Sequence, residues 1–149
     1  MSTQVMTPHA TGPLTAPEAI GHHEALRWLA PLGRSLFALI FVVASFGHFT
    51  AKSIAYAASQ GVPAPGVLVP LSGVIALVGG VSVLLGYHAR IGALLLVVFL
   101  VPVTLWMHAF WGVADAAARQ VQMAMFMKNI SMIGGALLLA YFGAGPISI

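Results

Sequence analysis

Between residues 35 and 142 the chain is built from four apolar stretches separated by short polar or Gly/Pro-rich connections. This pattern constrains the fold more than anything else in the sequence. A hydrocarbon core about 30 Å thick takes about 20 helical residues to cross. Inside it every backbone N–H and C=O has to find a partner within the protein, which leaves helices or a closed barrel. The stretches are continuous rather than alternating, so the reading is helical, with spans over 35–58, 68–85, 91–111 and 126–142. The second span is rich in Val and Gly, a composition that disfavours a helix in water but not in lipid. Pro102 falls inside the third, where Val103-Thr-Leu-Trp106 continues the run, so a kink is expected there rather than an end. Gln60-Gly-Val-Pro-Ala-Pro-Gly66 and Gly86-Tyr-His-Ala-Arg90 are tight connections that make their neighbours antiparallel. The expected fold class is all-α, an integral membrane four-helix bundle embedded in a lipid bilayer.

Composition removes most other classes. Apolar types make up 60% of the 149 residues and charged types 6%, against about 45–50% and about 25% in soluble domains. So few charges cannot solvate a globular surface, which argues against a soluble enzyme or a disordered tail. The net charge of +3 rests on six basic and three acidic residues. No Lys/Arg cluster tracks a phosphate backbone, so no nucleic-acid partner is expected. Cysteine is absent, and with it disulfides, thiol nucleophiles and thiolate metal sites.

Two regions are expected. Residues 1–33 form a polar N-terminal tail without the basic and apolar regions of a secretory signal. Thr15-Ala-Pro-Glu18 is able to cap a short interfacial helix running to about Ala30, where Pro31 would interrupt it. The alternative is an irregular tail ending in a tryptophan. Residues 34–149 form the membrane domain. Arg34, Arg90, Trp106 and Trp111 read as interface and orientation residues. Arg27, Arg34 and Arg90 fall at the end of the bundle shared by both termini, Arg119 and Lys128 toward the other. The positive-inside rule therefore puts both termini in the cytoplasm.

The chemistry-bearing candidates are few. His48 and Lys52 are four apart with Ser45 three before, so one helix face would carry all three. An ionisable pair within a bilayer is costly and marks a functional candidate, whether proton relay, quinone headgroup contact or anion contact. The plainer reading has Lys52 reaching out to the interface and His48 bonded to a neighbouring helix. Thr104 and His108 lie one turn apart near the end of the third span. His48 and His108 would meet if the first and third helices packed at matching depths, the arrangement bis-histidine haem ligation needs. No His-x-x-x-His or Glu-x-x-His pattern occurs at a membrane position, so neither haem nor another metal is expected. Lys128-Asn129 opens the fourth span, with Asn129 suited to bonding across helices. Gly79-Gly80 and Gly134-Gly135 suit close helix packing. The acidic residues Glu18, Glu24 and Asp115 all lie outside the spans, which leaves hydrolase chemistry without a carboxylate pair.

Taken in order, Arg34, Gly47-His48-Phe49, Lys52, Gly61-Val-Pro63, Gly79-Gly80, Gly86, Arg90, Thr104, His108-Ala-Phe-Trp111, Gln122, Phe126, Lys128-Asn129 and Gly134-Gly135 resemble the DoxX family of small bacterial membrane proteins. The resemblance covers about residues 34–144. It departs at Ala76, where members often carry a glutamate, and at His48, where they often carry lysine. It implies a multi-pass protein of the bacterial plasma (inner) membrane. It also implies an accessory or anchoring subunit of a redox assembly, quinone-linked as in thiosulfate:quinone oxidoreductase, with a membrane protein partner. On that reading the chain is not catalytic alone but an oxidoreductase complex subunit, with no resident cofactor. A small proton-coupled transporter working as a homo-oligomer, built on Ser45, His48, Lys52 and His108, is the alternative. A purely structural membrane protein is another.

Overall fold

Helix boundaries follow from a handful of punctuating residues. In the computed structural model, which describes residues 26–149, α1 runs Leu29–Ser45, α2 Ala51–Ser59, α3 Pro65–Leu85, α4 Ala89–Met107 and α5 Ala116–Phe142. Pro31 sits in the first turn of α1, where its missing N–H forfeits no helical bond. It therefore does not interrupt the helix as expected, and the rest of the expected interfacial helix lies outside the described residues. Pro65 opens α3 after Ala64, which holds a left-handed conformation at φ 43°. Gly86, at φ 77°, closes it. Asp115 caps α5 by accepting a hydrogen bond from the Ala118 N–H at 2.8 Å.

The expected continuous helix over 35–58 is divided. After Ser45 the chain tightens into a 3-10 turn at Phe46–Phe49, and Thr50 is extended with ψ 144°. The Thr50 hydroxyl donates to the Gly47 carbonyl at 2.9 Å and accepts from the Ser53 N–H at 3.3 Å, starting α2 in a new direction. His48 and Lys52 therefore do not share a helix face. At the other end, the polar segment before the fourth span is continuous with it, so α5 is 27 residues long. Lys128 and Asn129 consequently lie in the middle of a helix, not at its start. The α4 helix continues through Pro102 and stops at Met107, and a short 3-10 turn at Phe110–Gly112 leads toward α5.

Among the described residues four segments are long and apolar enough to cross a membrane: Leu29–Phe49, Pro65–Leu85, Ala89–Gly112 and Ala116–Phe142. The fold is all-α, a helical bundle whose core is Ala38, Phe41, Ala76, Val83, Ala93, Leu96, Phe99 and Leu100. Outward faces carry exposed Leu36, Leu39, Val43, Val74, Val78, Leu94 and Val98, which suits acyl chains and not water.

Small residues set the helix spacing. A Cβ on Gly79 would lie 2.9 Å from the Gly92 carbonyl oxygen, and one on Gly92 would meet the Ser82 side chain, so α3 and α4 approach backbone to backbone. Gly80 packs on Phe41 and Val42 of α1, and Gly135 of α5 against the Phe37 ring. Gly134 has nothing within 4 Å. The spine is α3–α4, with α1 packed on α3 and α5 on α4, whereas α1 and α5 touch at few positions.

The end holding Leu29 and Phe142 is tied by Arg34. This side chain is 6% exposed and donates to the carbonyls of Ala144 at 2.8 Å and Ile147 at 2.5 Å. It holds the chain that follows α5 rather than reaching out to headgroups. Arg90 lies beside Gly143 at the same end.

Two outcomes check this packing. Gly79→Val should lower stability in detergent by about 1–3 kcal/mol through overpacking, whereas Gly134→Ala should leave the unfolding temperature unchanged or raised; thermal unfolding reads both. Arg34→Ala should release residues 143–149, seen as faster amide exchange there, with a stability loss of about 1–3 kcal/mol.

Candidate functional site: a polar pocket facing the α1–α5 seam

Polar side chains inside an apolar bundle need partners, and tracing those partners locates the site. Ser45, at the end of α1, donates to the Val42 carbonyl at 2.7 Å. Thr104 donates to Leu100 within α4 at 2.6 Å. Both hydroxyls are thereby satisfied by their own helices. The two histidines reach further. His48 Nδ1 lies 2.9 Å from Ser72 Oγ on α3, and the Ser72 hydroxyl is itself spent on the Val69 carbonyl at 2.7 Å. With its hydrogen on Val69, the Ser72 oxygen is placed to accept from a protonated His48 Nδ1, and the Val69 backbone is a second hydrogen-bond partner of the same imidazole. His108 Nδ1 lies 2.8 Å from Gln122 Oε1 on α5. An amide oxygen only accepts, so Nδ1 again donates and Nε2 is left over.

Both imidazoles line one cavity of about 130 Å³, together with Ser45, Lys128 and Asn129. Its apolar walls are Phe41, Ala76, Phe99, Leu100, Val103 and Met132. The His48 ring rests on Phe99, with centroids 5.5 Å apart, which fixes its orientation. Beyond His108, Phe110, Trp111 and Phe126 form a three-ring cluster with centroid separations of 5.3–5.9 Å that packs the turn between α4 and α5.

Asn129 is the residue that separates this cavity from ordinary packing. It is 3% exposed, it lines the cavity, and its amide makes no hydrogen bond to any described residue. Among the described residues the side-chain polar atom that is fully sealed without a partner is Arg34 Nε; the Asn129 amide instead opens into the cavity, where its partners have to be supplied. Lys128, its neighbour, is exposed at the cavity rim and likewise has no ion pair or hydrogen bond among the described residues. The only carboxylate side chain among the described residues is Asp115, already engaged as a helix cap. The site thus presents a cation and an amide with no partner among the described residues, beside two imidazoles. That set suits an oxygen-rich anion.

The remaining sequence candidates lie elsewhere. Lys52 is exposed on α2 and does not line the cavity. Thr104 is buried and turned into its own helix. Trp106 and Trp111 are exposed on the bundle surface. Among the described residues no group of three metal-ligating side chains converges. Ser72 was not singled out from sequence, although a hydroxyl in an otherwise apolar span is the signal that could have found it.

Comparison with known proteins corrects the family reading. The family model that matches the chain, over residues 21–149, is that of the SURF4 family, not of DoxX. Similar proteins include inner membrane protein YqjF of Escherichia coli (strain K12), 30% identical over 118 residues that span 79% of this chain and 86% of that protein. Inner membrane protein YphA of the same organism is 28% identical over 120 residues, 79% of this chain and 85% of that protein. No solved structure matches. The expected role as a quinone-linked redox subunit, inherited through DoxX, falls with that assignment. The physical reason is visible in the fold. Several resemblance motifs are glycines and polar residues that serve helix packing, such as Gly79 against Gly92 and Gly80 against Phe41, and many membrane bundles use such residues.

If the His108–Gln122 bond closes the end of the cavity, the two residues act together. His108→Ala and Gln122→Ala should each lower the unfolding temperature, and the double variant should lose less than the sum. A coupling of about 1 kcal/mol in a double-mutant cycle is expected; strict additivity would contradict the bond.

Proposed function

The chain belongs to the SURF4 family, and from that starting point we propose that it is a membrane-embedded binding protein whose cavity holds a small anionic group. The observation that carries this reading is the buried, unpartnered Asn129 beside the unpaired Lys128. In this arrangement Lys128 supplies the counter-charge and the Asn129 amide donates to an anion oxygen. The Nε2 atom of His108 accepts from a hydroxyl on the same ligand, or donates when protonated, and His48 lines the cavity beside it. A cavity of about 130 Å³ is well below the 300–1,000 Å³ of drug-sized sites. It suits a phosphate or carboxylate rather than a sugar or a nucleotide.

The same proposal places the protein in the bacterial inner membrane, as the names of its two relatives suggest. Arg27, Arg34 and Arg90 favour a cytoplasmic position for the end that carries both termini. In this reading the bilayer is the protein's environment and a second protein is not needed to complete the site.

Thermal unfolding in a neutral detergent tests it. Inorganic phosphate, acetate and a short-chain phosphatidate are each titrated against the whole protein. At least one should stabilise it by about 2–3 kcal/mol at a hundredfold excess over its Kd. Lys128→Gln and Asn129→Leu should abolish that gain while remaining folded. Absence of stabilisation by all three anions would overturn the reading.

A further inference from the structure

The cavity has an unusual mouth. Of its lining residues, those on the exposed surface are Ile40 and Ala44 of α1 and Lys128 of α5. The lining residues from α3 and α4, Ala76, Phe99, Leu100 and Val103, are buried or half-buried and form the floor. The opening therefore lies between α1 and α5, the neighbouring pair that touches least, with Phe37 against Gly135 among its few contacts. Both rims belong to membrane-length helices. Lys128 stands fourteen residues from Phe142, about 21 Å along the helix axis at 1.5 Å per residue. With Phe142 at one edge of a hydrocarbon core about 30 Å thick, Lys128 lies about 9 Å inside the other edge, close to the level at which His48 and His108 approach the ends of the first and third spans. On that placement the mouth faces the acyl chains just below the headgroups.

A lysine exposed at this depth is costly without a counter-charge. A second copy of the chain would bring no carboxylate from the described segment except the capping Asp115, so self-association does not neutralise it. An anion carried on an acyl chain does. The apolar rim residues Ile40 and Ala44 would then meet the ligand's own hydrocarbon, while its headgroup reaches Lys128, Asn129 and the histidines.

Building on the binding role proposed above, we infer that the ligand is an amphiphile with a small anionic headgroup, a phosphate monoester or a carboxylate, and that it reaches the cavity sideways from the bilayer through the α1–α5 seam.

The full-length protein in nanodiscs of neutral phosphatidylcholine tests this, with either long-chain phosphatidate in the bilayer or inorganic phosphate in the buffer. Affinity is read from the fluorescence of the native tryptophans, of which Trp111 packs near His108. Phosphatidate should bind and inorganic phosphate should bind at least tenfold more weakly. Lys128→Gln should weaken phosphatidate binding by about tenfold or more, as should Asn129→Leu. Ala44→Leu, which narrows the mouth with an apolar side chain and adds no fluorophore, should weaken phosphatidate binding by a similar factor and weaken phosphate binding less. Phosphate binding as well as phosphatidate, with Ala44→Leu without effect, would overturn sideways access while leaving an anion site in place. Binding of neither would overturn both. Circular dichroism and an unchanged unfolding temperature for Ala44→Leu ensure that a loss is not misfolding.

Discussion

The close approach of α3 to α4 governs the rest of the bundle. With Gly79 against the Gly92 carbonyl and Ser82 against Gly92, the two helices form a spine that has no room for a side chain at either glycine. Close backbone approach of this kind gives van der Waals contact where lipid offers no hydrophobic driving force. Each outer helix then packs on its own member of the spine, α1 on α3 and α5 on α4. The outer pair is left with few contacts, and the cavity lies behind the gap between them, floored by Ala76, Phe99 and Leu100. The Arg34 bonds to Ala144 and Ile147 join α1 to the segment after α5 at one end, so the seam is fastened there and open further along.

Within that frame the polar residues divide into two groups. Ser45, Ser72 and Thr104 satisfy their hydroxyls on backbone carbonyls one turn away, which is how a hydroxyl survives in an apolar bundle. Lys128 and Asn129 have no such internal solution. Their positions on α5 give one exposed cation and one buried amide side by side. The described spans contain no acidic residue to balance that cation, which is what the proposed anion would do. The two histidines are tied to neighbouring helices, His48 to Ser72 and the Val69 backbone of α3 and His108 to Gln122 of α5.

The sequence made the helices legible because a lipid-crossing backbone has almost no alternative to helix, and the apolar runs are continuous. It was less informative at the joints. Thr50 ends the first segment by bonding its hydroxyl to Gly47 and Ser53, a local competition that hydropathy does not record. This is why His48 and Lys52, four apart, part company. Asp115 extends the last helix far upstream of its apolar part, moving Lys128 and Asn129 from a helix start to its middle. Arg34 looked like a headgroup contact because an arginine at a span boundary usually is one, yet its partners lie 110 and 113 residues away. His48 and His108 could be named as residues of interest, but that they line one cavity depends on helix rotation and depth, which periodicity alone does not fix. The family assignment failed for a related reason, since short motifs of small and polar residues report membrane packing more than ancestry.

The central claim is that the cavity behind the α1–α5 seam is completed by an anion that the chain itself does not supply. Native mass spectrometry of the protein purified from its own membrane in a neutral detergent tests this most directly. The account predicts a stoichiometric adduct whose released mass and charge are those of an anionic amphiphile, retained by the unaltered chain and lost on Lys128→Gln. A bare chain under gentle conditions, or an adduct that persists undiminished in that variant, would contradict it.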